Sequence, residues 1–194
     1  MPQKFTIMAV CTGNICRSPA MERLLAQAFI AEPEVKVISA GTYAHVGEDM
    51  QPLMKKRVAD YGCGVNDFVA EQVTPEMIES SDLILSATQM HLEDMLAEVP
   101  EADERSFTLP EFGRLLAHLD PDDVAGVAAQ STPLTERLSA LVPIVAQARR
   151  QHAARSDEDE IVDPYMLPES VFDESFRQIR EPIEALSRVL DLRN

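Results

Sequence analysis

Tryptophan is absent from the 194-residue sequence, and only seven Phe and three Tyr supply aromatic side chains. Hydrophobic residues nevertheless make up 45% of the chain, so we expect a folded core built mainly from aliphatic residues and methionine. No stretch approaches the roughly 18 consecutive apolar residues of a membrane span. The segment from Met1 to Val10 also lacks the charged and apolar regions of a cleavable signal. We therefore expect a cytoplasmic protein with no membrane partner.

Cations are scarce, since 17 Lys and Arg stand against 33 Asp and Glu, for a net charge of −16. Such a balance argues against nucleic acid and anionic membranes as partners. The three cysteines are an odd number, which argues against a disulfide framework and for a reducing compartment. The four His and three Cys show no metal-ligand spacing, so the sequence predicts neither a metal nor another cofactor.

One nine-residue run combines a cysteine, an arginine and a serine near the start of the chain. It follows an apolar, strand-like stretch, Phe5 to Val10, and opens a helix-like one, Ala20 to Ile30. The run reads Cys11-Thr12-Gly13-Asn14-Ile15-Cys16-Arg17-Ser18-Pro19. In a tight turn between a strand and a helix, unpaired backbone N–H groups and the positive end of the helix dipole face one point. This predicts an anion-binding loop.

The run places a nucleophile and a fixed cation around the same anion. Arg17 offers a planar fork that matches two phosphate oxygens. The amides, the helix dipole and Arg17 together favour the thiolate form of Cys11. Attack on a bound phosphate would give a phosphocysteine, which water would hydrolyse. The backbone amides of the intervening residues are expected to bind the phosphate: Thr12, Gly13, Asn14, Ile15 and Cys16.

The shape of this loop also gives local expectations. Gly13 is the residue at which we expect a positive φ, and Asn14 tolerates a left-handed conformation as well. Ser18 is expected to be the helix N-cap and Pro19 the first helical residue. The Ser18 hydroxyl is also expected to donate to the sulfur of Cys11.

The run resembles the phosphate-binding loop of the low-molecular-weight protein tyrosine phosphatases and of the arsenate reductases that share their fold. Two further motifs support this resemblance: Ser39-Ala40-Gly41-Thr42 and Asp163-Pro164-Tyr165. It implies that Asp163 protonates the leaving oxygen and then deprotonates the attacking water. It also implies that Tyr165 lies at the rim of the pocket and stacks on an aryl phosphate.

The resemblance carries further implications for individual residues. Ser39 would form a hydrogen bond with Asn14, and Tyr43 or His45 would line the entrance to the site as an aromatic wall. Cys16 would either form a reversible disulfide with the nucleophile under oxidation or only pack in the core. The sequence departs from the family at Ala87-Thr88, where Met-Asp is common, and we expect neither residue to touch the chemistry.

Alternating strand and helix patterns predict a single-domain α/β fold over residues 1–194. The expected architecture is a three-layer sandwich, with a four-stranded parallel sheet, helices on both faces and the phosphate-binding loop after strand 1. The predicted strands are Phe5–Val10, Val35–Ser39, Asp82–Ala87 and Arg105–Leu109. Extra helices form an insertion over about 110–155, before the loop that carries Asp163.

Within the insertion, Asp120 to Ser131 is predicted to be an acidic loop and Pro133 to Arg155 a long helix. Ser156 to Glu160 is predicted to be a solvated acidic loop. The long helix is interpreted as an extra layer on the sheet edge. The alternative is a partner surface, through which the chain would form a homodimer.

The leading functional hypothesis is a metal-independent phosphomonoester hydrolase of the protein-tyrosine-phosphatase type. Its substrate would be a phosphotyrosine protein or a small aryl phosphate. One alternative is an arsenate reductase coupled to a small thiol, because no cysteine follows Cys63 to resolve an arsenic adduct. Asp163 argues against this activity, since arsenate has no ester leaving group to protonate. A second alternative is a non-catalytic phosphate-sensing adaptor.

Overall fold

The computed structural model describes residues 4–152 and 158–192. The strands are β1 (Phe5–Cys11), β2 (Val35–Gly41), β3 (Leu83–Ser86) and β4 (Ser106–Thr108). The helices are α1 (Arg17–Ala28), α2 (Pro52–Asp60), α3 (Pro75–Glu79), α4 (Gln89–Glu98), α5 (Leu109–Leu116), α6 (Pro121–Val127), α7 (Leu134–Gln151) and α8 (Glu169–Val189). A 3-10 helix over Pro100–Arg105 connects α4 to β4. Within these described residues, no helix combines the length and apolarity needed to cross a bilayer.

The four strands form one parallel sheet in the order β2-β1-β3-β4, as the sequence predicts. β1 is central and pairs along its whole length with β2, from Phe5 opposite Val35 to Cys11 opposite Gly41. Parallel sheets of this kind bind ligands beyond the carboxyl ends of their strands, at the point where the strand order reverses. The last residue of β1, Cys11, lies at this point.

Side chains of β1 alternate between two separate hydrophobic clusters, one on each face of the sheet. Phe5, Ile7 and Ala9 belong to the larger cluster, which α1, α5, α7 and α8 also build. Met8 and Val10 belong to the smaller one, which α3 and α4 cover. Helices therefore lie on both faces, and the predicted three-layer α/β architecture is confirmed.

The inserted region differs from the expectation in one segment. Residues 120–131 are not only a loop, because α6 runs from Pro121 to Val127. The Asp120 side chain caps this helix by accepting from the backbone N–H of Asp122 at 2.9 Å. An Asp N-cap followed by proline is a common start of a helix. The acidic composition of the segment favoured the prediction of a loop instead.

The long helix α7 packs its apolar side on its own chain. Leu138, Leu141 and Val145 are at most 1% exposed, and the helix contacts α5 and α6. This burial supports the interpretation as an extra layer on the domain. The predicted end of the helix at Arg155 lies outside the described residues, and the homodimer stays a prediction.

The acidic segment before Asp163 is more deeply embedded than predicted. Ser156 and Asp157 lie outside the described residues. Asp159, in contrast, is only 6% exposed and pairs with Arg114 of α5, with Nη2 and Oδ2 2.7 Å apart. The prediction of a solvated loop is therefore wrong for Asp159. Its ion pair fixes the start of the segment that leads to Asp163.

Candidate active site

The loop between β1 and α1 runs from a buried cysteine to a buried arginine. Cys11 is 2% exposed and Arg17 is 4% exposed. Asn14, in the middle of the loop, adopts the left-handed conformation with φ 52°. Asparagine tolerates this conformation better than most residues, so its side chain and its backbone both suit the turn.

Gly13 has a different role from the predicted one, because its φ is not positive. A Cβ at this position would lie 3.0 Å from the Cδ2 atom of His45. Glycine thus allows the imidazole ring to approach the loop backbone this closely, and the positive φ falls on Asn14 instead.

The sulfur of Cys11 is the end of a buried network of hydrogen bonds. Its Sγ atom lies 3.0 Å from the Ser18 hydroxyl, as predicted. The amide nitrogen of Asn14 donates to the hydroxyls of Ser18 and Ser39, both at 2.9 Å. The predicted contact between Asn14 and Ser39 is therefore confirmed. Both amide protons of Asn14 are thus used, and the single Ser18 proton is shared between two acceptors, the Cys11 sulfur at 3.0 Å and the Ala40 carbonyl at 3.3 Å.

Ser18 does not cap the helix, which corrects the prediction. α1 begins at Arg17, its N-cap is Cys16, and no side chain closes the cap. The Ser18 hydroxyl instead contacts Cys11 and the carbonyl of Ala40. The N–H groups at the start of α1 are consequently left without a capping side chain beside the loop.

Glu22 extends the network and was not identified from the sequence. Ser39 donates its hydroxyl proton to the Glu22 carboxylate at 2.5 Å. Burial raises the pKa of Glu22, and the hydrogen bond from Ser39 partly opposes this effect. The available signal was helical spacing, since Glu22 lies four residues after Ser18 and therefore on the same side of α1.

Arg17 and Asp163 meet across 146 residues of sequence. The Nη2 atom of Arg17 and the Oδ2 atom of Asp163 are 2.7 Å apart, and Nη1 donates to the carbonyl of Ile161 at 3.3 Å. The Nε atom of Arg17 is buried and has no hydrogen-bond partner among the described residues. A guanidinium with an unused, buried donor is a ready partner for an anion.

The rim of the site carries aromatic rings. His45 and Tyr165 form an edge-to-face pair with ring centroids 5.8 Å apart. The Tyr165 ring is therefore held next to the loop, and its stacking on an aryl phosphate stays a prediction. Tyr43 is 74% exposed, and its role in substrate binding stays a prediction. The backbone N–H of Tyr43 donates to the carbonyl of Thr12 at 2.9 Å and braces the loop.

All three cysteines are free, and the two that accompany Cys11 are not activated. Cys16 is 4% exposed. Burial raises its pKa to about 12, and the nearby Cys11 and Asp163 add to this rise. Burial also raises the pKa of Cys63, which lies in the larger hydrophobic cluster. Both residues are thus thiols at neutral pH, which favours packing as the role of Cys16.

Gly41 is a second feature that was not identified as essential. The residues after β2 lie directly on the loop, where Thr42 donates to the carbonyl of Cys11 at 2.9 Å. A Cβ at Gly41 would lie 2.4 Å from the carbonyl oxygen of Thr12. The motif around Gly41 therefore acts through close backbone contact.

Within residues 4–152 and 158–192, no group of three His, Cys, Asp or Glu side chains could hold a metal ion.

Residues 6–125 match the model of a protein family described as low molecular weight phosphotyrosine protein phosphatase. Among curated proteins, the probable low molecular weight protein-tyrosine-phosphatase AmsI of Erwinia amylovora is 42% identical over 88 residues. This match covers 45% of the present chain, which spans only 59% of the length of that relative. A protein-arginine-phosphatase of Bacillus subtilis is 35% identical over 109 residues, which are 55% of the chain and 71% of that protein.

Solved structures show the same fold over nearly the whole chain. The crystal structure of the Erwinia amylovora tyrosine phosphatase AmsI superposes with a TM-score of 0.66 at 24% identity. The superposition covers 96% of the present chain and 93% of that structure. Together with the match of the family model over more than half of the sequence, these findings lead to one conclusion. The chain belongs to the low molecular weight phosphotyrosine protein phosphatase family.

Proposed function

We propose that the chain is a phosphomonoester hydrolase that works through a phosphocysteine intermediate. The observation that carries this proposal is the meeting of Arg17 with Asp163 beside Cys11. The 2.7 Å ion pair brings the acid to the guanidinium, while the Nε atom of the same guanidinium has no partner among the described residues. A phosphate bound over the loop would use both donors of the fork.

In the first step, the sulfur of Cys11 attacks the phosphorus atom and the ester oxygen leaves. The Ser18 hydroxyl, 3.0 Å from the sulfur, stabilises the negative charge before attack. Arg17 binds two phosphate oxygens, which displaces the carboxyl group of Asp163 from Nη2. The released carboxylate takes up a proton from solvent and passes it to the leaving oxygen as the bond between phosphorus and that oxygen breaks, so that an alcohol or phenol departs.

In the second step, water hydrolyses the phosphocysteine. The Asp163 carboxylate accepts a proton from the water as its oxygen attacks phosphorus, and the bond between sulfur and phosphorus breaks. Inorganic phosphate and the Cys11 thiolate are the products. No redox partner or metal ion enters the balance of either step.

The aromatic rim supports aryl phosphates as substrates. The edge-to-face pair of His45 and Tyr165 offers an apolar face to a phenyl ring, and such contacts are worth about 0.5–1.5 kcal/mol beyond burial. This favours phosphotyrosine in a protein, or a small aryl phosphate, as the substrate. The arginine-phosphatase activity named for one relative makes phosphoarginine the necessary comparison substrate.

The decisive experiment is turnover of para-nitrophenyl phosphate, phosphotyrosine and phosphoarginine peptides, beside an arsenate reduction assay with a small thiol. We expect phosphate release from the aryl substrates and none after Cys11→Ser. Arsenate reduction without phosphate release would favour the reductase, because arsenate needs no acid at position 163. Absence of both activities with Cys11 reduced would favour the non-catalytic adaptor.

The expected surroundings of the protein follow from its charge and its cysteines. A net charge of −16 and three free cysteines support a cytoplasmic location and oppose nucleic acid as a partner. A homodimer through the inserted helices would have to use their polar side, because the apolar side of α7 is buried. Sedimentation equilibrium of the purified chain would decide this.

A further inference from the structure

A buried histidine that the proposed chemistry does not use lies behind the phosphate-binding loop. His91, the third residue of α4, is 1% exposed. Its Nε2 atom is 2.9 Å from the Thr12 hydroxyl, and its Nδ1 atom is 2.8 Å from the Thr88 hydroxyl. Both ring nitrogens thus take part in one line of hydrogen bonds, which runs from Thr88 through His91 to Thr12 in the loop.

The direction of the hydrogen bonds follows from the donors along this line. Arg17 Nη2 lies 3.4 Å from the Thr12 hydroxyl oxygen, and a guanidinium can only donate. The Thr12 oxygen therefore accepts from Arg17, which leaves its single proton available to Nε2 of His91. In the tautomer that uses this proton, Nε2 is the acceptor, and Nδ1 carries the ring proton and donates it to Thr88.

This arrangement requires a neutral imidazole ring. The charged groups that face His91 are Arg17 of the loop and Asp163 of the acid segment. Glu160 accepts from the backbone N–H of Gln89, two residues before His91 at the start of α4. Burial, followed by the charge of Arg17, lowers the pKa of His91 to about 4, whereas the charge of Asp163 opposes this shift. The ring is consequently neutral at physiological pH, in agreement with the geometry.

We propose that His91, acting through the Thr12 hydroxyl, is a positioning residue for the Arg17 guanidinium and works only as a neutral acceptor. This inference rests on the proposed function. When phosphate displaces Asp163 from Arg17, the remaining contacts of the guanidinium are Thr12 and the carbonyl of Ile161. The Thr12 hydroxyl, which His91 holds in place, then fixes the plane of the Arg17 guanidinium so that it faces the phosphate oxygens.

Thr88 completes the line. It stands where the family commonly has an acidic residue, and the sequence suggested that it would not touch the chemistry. The structure instead connects it to Arg17 through His91 and Thr12. A hydroxyl accepts from Nδ1–H without placing a further negative charge beside a buried ring, so it does not favour protonation of His91 as a carboxylate would.

The test compares three variants of the full chain. His91→Leu removes the acceptor, His91→Gln restores one at the position of Nε2, and His118→Leu is the matched control on an exposed histidine of the inserted region. The measurements are kcat and KM for para-nitrophenyl phosphate and the affinity for inorganic phosphate by calorimetry. Thermal unfolding of each variant separates a positioning effect from a loss of the fold.

We expect His91→Leu to raise KM and weaken phosphate binding by about tenfold, as expected for the loss of one buried hydrogen bond. His91→Gln should recover most of this loss, and the control should not differ from wild type. Between pH 7 and pH 4, the affinity of the wild type for phosphate should fall more than the affinity of His91→Gln does. Thr12→Val combined with His91→Leu should be no worse than Thr12→Val alone.

Additive effects of the two substitutions, or an unchanged phosphate affinity in folded His91→Leu, would overturn the proposal. If the wild type releases no phosphate from any ester, the proposed function fails, but phosphate affinity still decides the role of His91. If the wild type hydrolyses aryl phosphates and all His91 variants bind phosphate equally well, only the positioning role is wrong.

Discussion

Substitution of Gly41 by alanine tests whether the loop geometry, rather than its residue content, sustains activity. The new Cβ would lie 2.4 Å from the carbonyl oxygen of Thr12 and 3.0 Å from the backbone nitrogen of Asn14. Ordinary contact begins near 3.4 Å. The loop must therefore move away from β2 by about 1 Å, since backbone atoms cannot rotate aside as a flexible side chain can.

That displacement acts on the site through two backbone hydrogen bonds. Thr42 and Tyr43 donate to the carbonyls of Cys11 and Thr12, both at 2.9 Å, and a shift of about 1 Å breaks or lengthens them. A misplacement of this size can cost about 100-fold in rate. Overpacking of a buried contact costs about 1–3 kcal/mol of stability. We expect Gly41→Ala to remain folded but to lose about 100-fold in kcat/KM.

The assay is steady-state hydrolysis of para-nitrophenyl phosphate, with urea unfolding measured in parallel. Gly64→Ala is the matched control, because its Cβ would meet nothing within 4 Å and its φ is not positive. This control should keep wild-type activity. A Gly41→Ala protein with wild-type kcat/KM and wild-type stability would refute the reasoning, since the loop would then tolerate the displacement.

Three further predictions concern proton transfer, thiol reactivity and pH. Asp163→Asn should lower kcat by about 10²–10⁴-fold, and more for phenyl phosphate than for para-nitrophenyl phosphate, whose leaving group needs less protonation; equal losses in a steady-state comparison would contradict an acid role. Iodoacetamide should label Cys11 long before Cys16, because burial raises the pKa of Cys16 to about 12; peptide mass spectrometry would reveal equal labelling if this is wrong. His91 has a folded-state pKa of about 4, below its usual 6.5, so its neutral form stabilises the native state above pH 6.5 and this contribution is lost as pH falls toward 4. The loss is on the order of 3 kcal/mol, and His91→Gln should show a correspondingly smaller drop in the free energy of unfolding over this pH range.

The local features of the fold were predictable from the sequence, whereas most contacts between distant residues were not. The strand before Cys11, the helix after it and the parallel sheet were predictable, since apolar periodicity and turn residues are properties of neighbouring residues. The contacts of Ser18 with Cys11 and of Asn14 with Ser39 were also predicted, the second from the family resemblance. The helix start was wrong, because the Ser18 hydroxyl is used by a buried partner rather than by the helix.

Other features depended on which elements meet in space. The acidic character of Asp159 suggested exposure, but the side chain is buried because Arg114 of α5 neutralises it. Gly13 was assigned a positive φ, yet the neighbour that a side chain at this position would crowd is the ring of His45, 32 residues away along the chain. Neither partner could be identified from residues nearby in sequence.

The amino-acid sequence by itself determined the chemical groups of the site and the loop that presents them. Five residues separate Cys11 from Arg17, and the loop lies between a strand that ends at Cys11 and a helix that begins at Arg17. Only the tertiary structure decided the partners of these groups. Packing of the acid segment brought Asp163 to Arg17, and packing of α4 against the loop placed His91 on Thr12. The reason is physical: hydrogen bonds and ion pairs act over about 3 Å, whereas the residues that form them here are 79 and 146 positions apart.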